Sequence, residues 1–251
     1  MRLDKFLADA TPHSRSTIKN FIKKRQVTVN GKTVLKADTN VSEKDVITLS
    51  GVKISLQPKY RYIILNKPAG YVCATEDNSD PTVMELIPPE MQAKGLFPAG
   101  RLDKDTTGMV LITNDGEFAH KILSPKHHVP KYYHVTLARP FEESYISELE
   151  KGITLSNGDV CLPAQIAKIP DTENEALICL HEGKYHQVKR MFAALGNHVL
   201  LLHRIGIGDL ILPEDLPKGS CKLLIDEDTK KIMSFGGNFL TKLHRIKKSS
   251  S

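Results

Sequence analysis

Residues 99–116 read AGRLDKDTTGMVLITNDG, and no other stretch constrains the fold as tightly. The apolar run Met109-Val110-Leu111-Ile112 is bounded by Gly108 on one side and Asn114-Asp115-Gly116 on the other. Apolar residues between turn formers predict a buried strand, with Asp-Gly as the turn beyond it. Arg101, Asp103 and Asp105 then lie on a loop that enters the strand and is anchored at one end by core. Loops held by a rigid scaffold are where reactive groups are usually carried. Taken alone, an Asp-rich loop is more often a turn shaped by its own carboxylates, so the surrounding chain must decide.

The charge is unevenly distributed. Residues 1–60 hold 12 Lys and Arg against 5 Asp and Glu, residues 61–235 hold 19 against 24, and residues 236–251 hold 4 against none. Basic ends on a mildly acidic centre suggest a polyanion-binding arm attached to a body with another task. No apolar run approaches the eighteen or so residues of a membrane span. The opening residues Met1 to Thr11 are interrupted by Asp4, Lys5 and Asp9 and hold no secretory apolar segment. Cys73, Cys161, Cys179 and Cys221 are scattered without paired spacing, which suits reduced thiols and a cytoplasmic location.

Leu3, Phe6, Leu7 and Ala10 recur at helical spacing. Ser14 is a candidate N-cap for a second helix with Ile18, Phe21 and Ile22 facing inward. On that helix Arg15, Lys19 and Lys23 share one face, and Lys24 and Arg25 extend the charge beyond it. Val27 to Val34 alternates around an Asn30-Gly31 hairpin turn, and Val46 to Leu49 forms another short strand. Residues 2–49 resemble the alpha-L RNA-binding module of a small-subunit ribosomal protein, through RLDKFLA, SRSTIKNFIKKRQVTVNG and VSEKDVITL. The resemblance implies that the basic helix packs along an RNA backbone, where phosphate contacts supply affinity and little sequence discrimination.

Gln57-Pro58-Lys59 reads as a linker, dividing domains at 1–57 and 58–235, with a basic, frayed tail over 236–251. Tyr62 to Leu65 predicts a strand stopped by Asn66-Lys67-Pro68-Ala69-Gly70, and Tyr71-Val72-Cys73 a further short one. Helices are expected over residues 117–123 and 142–151, the second with Ile146 and Leu149 inward and Gly152 at its end. Lys131 to Leu137 alternates so that Tyr133, Val135 and Leu137 share a face. Leu177 to Leu180 is a strand leading into HEGKYHQVKRMFAALG, a loop and an amphipathic helix. Lys184, Lys189 and Arg190 cluster at that helix start, where the macrodipole disfavours cations, so something other than helix stability requires them. Val199 to Leu202 predicts a strand, with His203-Arg204-Ile205-Gly206 as a basic turn after it. The fold class is α+β: a small RNA-binding domain and a mixed α/β domain with a largely antiparallel sheet.

Asn66-Lys67-Pro68-Ala69-Gly70, Gly100-Arg101-Leu102-Asp103 through Thr107-Gly108, Lys131 to Val135 and Glu182 to Met191 stand in a telling order. With them the chain resembles the RsuA group of pseudouridine synthases over nearly its whole length. Tyr71 to Cys73, Pro81-Thr82-Val83 and Met191 to Val199 favour the branch that acts on small-subunit ribosomal RNA. Relatives acting on large-subunit RNA share the four motifs, and Lys189 stands where many relatives have Arg.

The resemblance implies isomerisation of uridine, which uses neither redox chemistry nor an external group, so no cofactor and no metal is expected. It makes Asp103 the essential carboxylate and Lys189 the cation that keeps it ionised. It has Arg101 fill the gap left by an extruded base, and Tyr133 stack on that base. Lys184, Arg190 and Arg204 join the basic helix as expected RNA contacts. The expected partner is ribosomal RNA within a small-subunit assembly intermediate, with the chain acting as a monomer and no membrane involved.

Two other classes fit parts of the chain. Asp103-Lys104-Asp105-Thr106-Thr107 matches the D-x-D-x-T of magnesium-dependent aspartyl-phosphate phosphatases, although there the motif follows a strongly apolar strand. A non-catalytic RNA-binding ribosome-assembly factor would need only the basic module.

Overall fold

Leu3, Phe6 and Leu7 are all buried on one side of α1 (Leu3–Ala10), as their spacing predicts. The computed structural model describes residues 1–11, 13–42, 44–54, 59–235 and Phe239, in two compact units that divide between Lys59 and Tyr60. Gln57 and Pro58 of the expected linker lie outside the described residues, as does the tail from 236 onward except Phe239. The Phe239 ring stacks against Tyr132 at 6.4 Å, so this position of the tail packs on the sheet.

In the first unit the Ser14 hydroxyl accepts from the Thr17 amide at 3.2 Å and starts α2 (Arg15–Lys23). This is an N-cap satisfying one of the free amides of a first turn. Ile18 and Ile22 bury against Leu3, Leu7 and Val27. β1 (Val27–Val29) and β2 (Lys32–Thr33) form a hairpin in which Asn30 and Gly31 take φ of 51° and 77°, the double left-handed turn that Asn-Gly favours. A second hairpin joins β3 (Ile47–Leu49) to β4 (Val52–Ile54) through Ser50 and Gly51 at φ of 50° and 82°. β4 is not anticipated from sequence, because its exposed Val52 and Lys53 carry no core pattern.

The second unit opens with β5 (Tyr62–Lys67), followed by β6 (Phe97–Pro98) and β7 (Thr107–Thr113). Then come α3 (Gly116–Leu123), β8 (Lys131–Leu137), α4 (Ser144–Lys151), β9 (Gln165–Lys168), β10 (Glu175–Leu180) and α5 (Gln187–Ala194). β11 (Val199–Ile207), β12 (Leu210–Ile211), β13 (Cys221–Leu223) and α6 (Asp226–Met233) complete it. The nine strands form one sheet in the order β13-β5-β7-β11-β8-β10-β9, with β12 on β11 and β6 on β7. Among the described strand pairings of this sheet only β7–β11 is parallel.

The sheet is covered on both faces, and this explains its continuous apolar runs. Along β5 and β7, Ile63, Leu65, Val110 and Ile112 join the core that includes Leu149, Met191 and Phe192 of α4 and α5. The alternate residues Ile64, Met109 and Leu111 pack with Ala119, Ile122 and Ile232 of α3 and α6. Asp115 is a helix cap and not a free turn: its carboxylate accepts from the Phe118 amide at 3.1 Å and from the Tyr62 hydroxyl at 2.7 Å. Gly152 closes α4 with φ of 83°.

Two expected elements differ. Tyr71 to Cys73 is not a strand and contributes only an isolated bridge between Val72 and Thr82. His203 to Gly206 is not a turn: β11 runs through it, held by β7 on one side and β8 on the other, with an irregularity between Arg204 and Gly206. At this crossing Gly108 (φ 101°) faces Arg204, and a Cβ there would collide with the Arg204 backbone carbonyl. The Gly-Met-Val-Leu-Ile pattern thus reflects close approach of two strands. Among the described residues no helix is long and apolar enough to cross a membrane, and Cys73, Cys161, Cys179 and Cys221 form no disulfide.

Candidate active site

Asp103 sits on the loop between β6 and β7, and that loop is held from beneath by Lys67 at the end of β5. Lys67 is fully buried, and its Nζ donates to the carbonyls of Pro68, Asp103 and Lys104 at 3.1 Å each and of Thr106 at 2.7 Å. Burial pushes the Lys67 ammonium below its ordinary pKa, and the four carbonyl dipoles supply what water would. The Gly70 amide also donates to the Lys104 carbonyl (2.8 Å), and the Thr106 amide to the Asp103 carbonyl (3.1 Å). The Asn-Lys-Pro-Ala-Gly and Gly-Arg-Leu-Asp motifs are therefore two halves of one support.

The opposite wall comes from the loop before α5. Gln187, buried at the start of the helix, accepts from the Lys184 amide (2.9 Å) and donates to Glu182 (2.7 Å). Glu182 in turn accepts from the Leu162 amide at 2.8 Å. His186 takes φ of 48°, a conformation that costs a side-chain-bearing residue energy and recurs at functional sites. Its Nε2 lies 3.5 Å from Oδ1 of Asp103, and its ring stacks on Tyr185 at 3.8 Å.

Lys189, in the first turn of α5, reaches both aspartates of the loop. Its Nζ is 3.3 Å from Oδ2 of Asp103, but 2.6 and 2.8 Å from the carboxylate oxygens of Asp105. The Asp105 carboxyl is accordingly held below its ordinary pKa, chiefly by the Lys189 hydrogen bonds. Burial works against the Lys189 ammonium, yet the hydrogen bonds to Asp105 and the charge of Asp103 leave its pKa raised. The expected pairing with Asp103 is thus shared with Asp105. The two carboxylates are not equivalent: Asp105 is 74% exposed against 24% for Asp103, and of the two only Asp103 lines the cavity.

That cavity has a volume of about 440 Å³. Arg101 is exposed at its edge, and Tyr133 lines it from β8, largely buried and sharing a core with Val135 and Leu137. Arg15, Lys19, Lys23, Lys24 and Arg25 are all exposed in the first unit. Lys184 is half-buried, with Nζ donating to the Val160 carbonyl at 2.6 Å. Arg190 is half-buried and lies 3.9 Å from Asp159.

Arg204 departs from the expectation of a surface RNA contact. It is 3% exposed, with Nε donating to the Met109 carbonyl at 2.7 Å, because its strand runs through the sheet centre where a turn was expected. Sequence reasoning also missed Lys67, Lys131, Tyr185 and His186 as cavity or loop residues. All four lie inside the motifs, but nothing local distinguishes them from turn or strand positions.

The chain belongs to the family of RNA pseudouridylate synthases, whose model matches residues 61–194. A model described as the S4 domain matches residues 1–47. The protein called ribosomal small subunit pseudouridine synthase A in Vibrio parahaemolyticus is 44% identical over 92% of this chain and 99% of its own length. The protein of the same name in Escherichia coli K12 is 42% identical over 93% of this chain and 100% of its own. A solved structure, described as a crystal structure of pseudouridylate synthase, aligns with a TM-score of 0.64 at 40% identity, covering 92% of this chain and 99% of that one.

Proposed function

We propose that this chain isomerises a uridine of small-subunit ribosomal RNA to pseudouridine, with Asp103 as the essential carboxylate. The similarity to small-subunit synthases along nearly the whole chain supports the substrate class. The observation that carries the chemistry is Asp103 on the cavity wall, on a lysine-anchored loop, with Lys189 at 3.3 Å and Tyr133 in the same cavity.

The reaction breaks the N1–C1′ bond, turns the base and joins C5 to C1′. It needs a carboxylate that remains ionised in a closed site, and a cation within a few ångströms favours that form. Lys189 has this role, and Asp105 holds Lys189 in reach. The target uridine leaves its stack at a cost of a few kcal/mol. Tyr133 stacks on the extruded base, and Arg101 at the cavity edge takes the space it vacates. Tyr185, 72% exposed over His186, offers a flat face to a neighbouring base. The exposed cations of α2 bind phosphates, and the chain acts as a monomer on a small-subunit assembly intermediate.

The phosphatase reading loses its geometric basis, because the Asp103-x-Asp105 pair precedes the apolar β7 and follows only the two-residue β6. The experiment is a map of pseudouridine in both ribosomal RNAs from cells with and without this protein. Loss of one modification from small-subunit RNA is expected. Loss only from large-subunit RNA would move the substrate, and no loss from either would reject the activity.

A further inference from the structure

The cavity is lined by four Lys and Arg side chains, Arg101, Lys131, Lys184 and Arg204, against one carboxylate, Asp103. Lys131 and Arg204 differ from the others in being buried, at 7% and 3% exposure, on the adjacent strands β8 and β11. Among the described residues the Lys131 ammonium makes one hydrogen bond, donated by Nζ to the Val129 carbonyl at 2.9 Å. Arg204 uses Nε on Met109, and its Nη2 is buried with no hydrogen-bond partner. Neither makes an ion pair among the described residues. The Thr106 hydroxyl, 1% exposed and on a residue lining the same cavity, is also without a partner.

Two buried cations lining one cavity without a counter-ion among the described residues are costly for the folded state. Burial, with the neighbouring Arg204 charge, lowers the Lys131 pKa to about 8, and only the Cys179 thiol on β10 acts the other way. Unused buried donors in a cavity wall point to a ligand that completes them. That ligand must be electron-rich, and it must belong to the reaction.

The inference rests on the pseudouridine reading. When N1–C1′ breaks, its electron pair stays with the base, which becomes a monoanion with charge spread over N1, O2 and O4. The deficit at the sugar is met by the Asp103 carboxylate, through bonding to it or through loss of a proton to it. The C5–C1′ bond then forms with the ring's electrons, C5 gives up its proton, N1 regains one, and the carboxylate is released. Atoms and charge balance without a co-reactant. The anion exists only between the breaking and the making of these bonds, so a cation aimed at it favours the transition state over the bound substrate.

We propose that Lys131 and Arg204 form a cationic floor that holds the detached uracil anion, with the Thr106 hydroxyl as an additional donor. Both would be catalytic residues, touching the base while it is free of the sugar. A phosphate clamp made from the same side chains would act on binding and leave the chemical step alone.

The test compares Lys131→Met, Lys131→Arg and Arg204→Gln with the wild type, by single-turnover conversion of small-subunit RNA at saturating enzyme and by RNA affinity. Lys131→Met and Arg204→Gln should slow conversion about 100-fold, as removal of one fixed donor to a developing anion does, with the RNA Kd little changed. Wild-type kcat/KM should fall as pH rises past about 8, when Lys131 loses its proton. Lys131→Arg should keep the rate and lose this alkaline limb. Lys131→Met should also melt at a higher temperature than the wild type, since a desolvated charge is removed.

Weakened RNA binding with an unchanged rate would identify a phosphate clamp and overturn the proposal, as would a wild-type rate in folded Lys131→Met. If Arg204→Gln does not fold, the Met and Arg variants of Lys131 decide alone. A wild-type enzyme that converts no uridine would overturn the pseudouridine reading, whereas a converting wild type with unimpaired variants would overturn only the floor.

Discussion

The Lys189 ammonium lies 3.3 Å from Oδ2 of Asp103, joining the first turn of α5 to a loop from a distant part of the chain. Lys189 is bound still more closely by Asp105, at 2.6 Å, so Asp105 is a holder of the cation and Asp103 faces the cavity. Asp103→Asn should abolish conversion with RNA affinity within a few-fold of wild type, because phosphate contacts lie elsewhere. Asp105→Asn should stay active, since Lys189 can turn fully to Asp103. Lys189→Arg should keep much of the activity and Lys189→Met should lose most of it. Purified variants assayed on one RNA at one pH check all four, and equal loss at both aspartates would contradict this division of roles.

Lys67 carries a second expectation, about stability and chemistry together. Lys67→Met would leave four carbonyls of the Asp103 loop and its approach without their donor. Breaking a buried charged network from one side costs about 3–5 kcal/mol. In a unit of this size that lowers the melting temperature by about 10 °C. Calorimetry and conversion assays should show both losses, with RNA affinity through the basic helix retained. A variant that melts like the wild type would mean that the loop is held by other contacts.

How much of this was legible depended on whether the deciding contacts were local. β7, the Ser14-capped helix and the Asn30-Gly31 hairpin follow from periodicity and turn chemistry within a few residues. The position of Asp103 on a loop entering β7 follows in the same way. Arg204 was misread because a charge after an apolar run resembles a surface turn, and only pairing with both β7 and β8 carries the strand through it. Lys67 sits in a Pro-Gly turn motif, and its burial is set by carbonyls of residues 103–106 far along the chain. The sharing of Lys189 between two aspartates is a matter of ångströms that no spacing encodes.

His203 makes the protein's stability depend on acidity. Burial, then the charges of His134 and Lys218, lower its pKa from 6.5 to about 4, and its Nδ1 lies 2.8 Å from the Thr107 hydroxyl. The folded state keeps the ring neutral, so between these values the unfolded chain binds the additional proton. Stability from this group is therefore fully present above pH 6.5 and is lost as pH falls toward 4. The gap corresponds to about 3 kcal/mol at most. Denaturant melts from pH 7 to 4 should show a smaller loss in His203→Gln than in the wild type. Parallel curves would remove His203 as the source.

The last expectation separates the work of the two units. Arg15, Lys19 and Lys23 are exposed along α2, and Met1–Lys59 contains none of the cavity residues. A chain beginning at Lys59 retains the nine-stranded sheet and both cores that cover it. It should fold, keep Asp103 and Lys189 together, and bind RNA more weakly. Each lost phosphate contact lowers the slope of log affinity against log salt by about 0.9 on a duplex, so losing these three contacts lowers it by roughly 2–3. Conversion should survive at high RNA concentration, because affinity and chemistry are carried by different units. The measurement is binding of both chains across a salt series, with circular dichroism to establish folding of the shorter one. An unchanged slope and affinity in the folded truncation would show that the basic face of α2 is solvated surface and that RNA is held by the second unit alone.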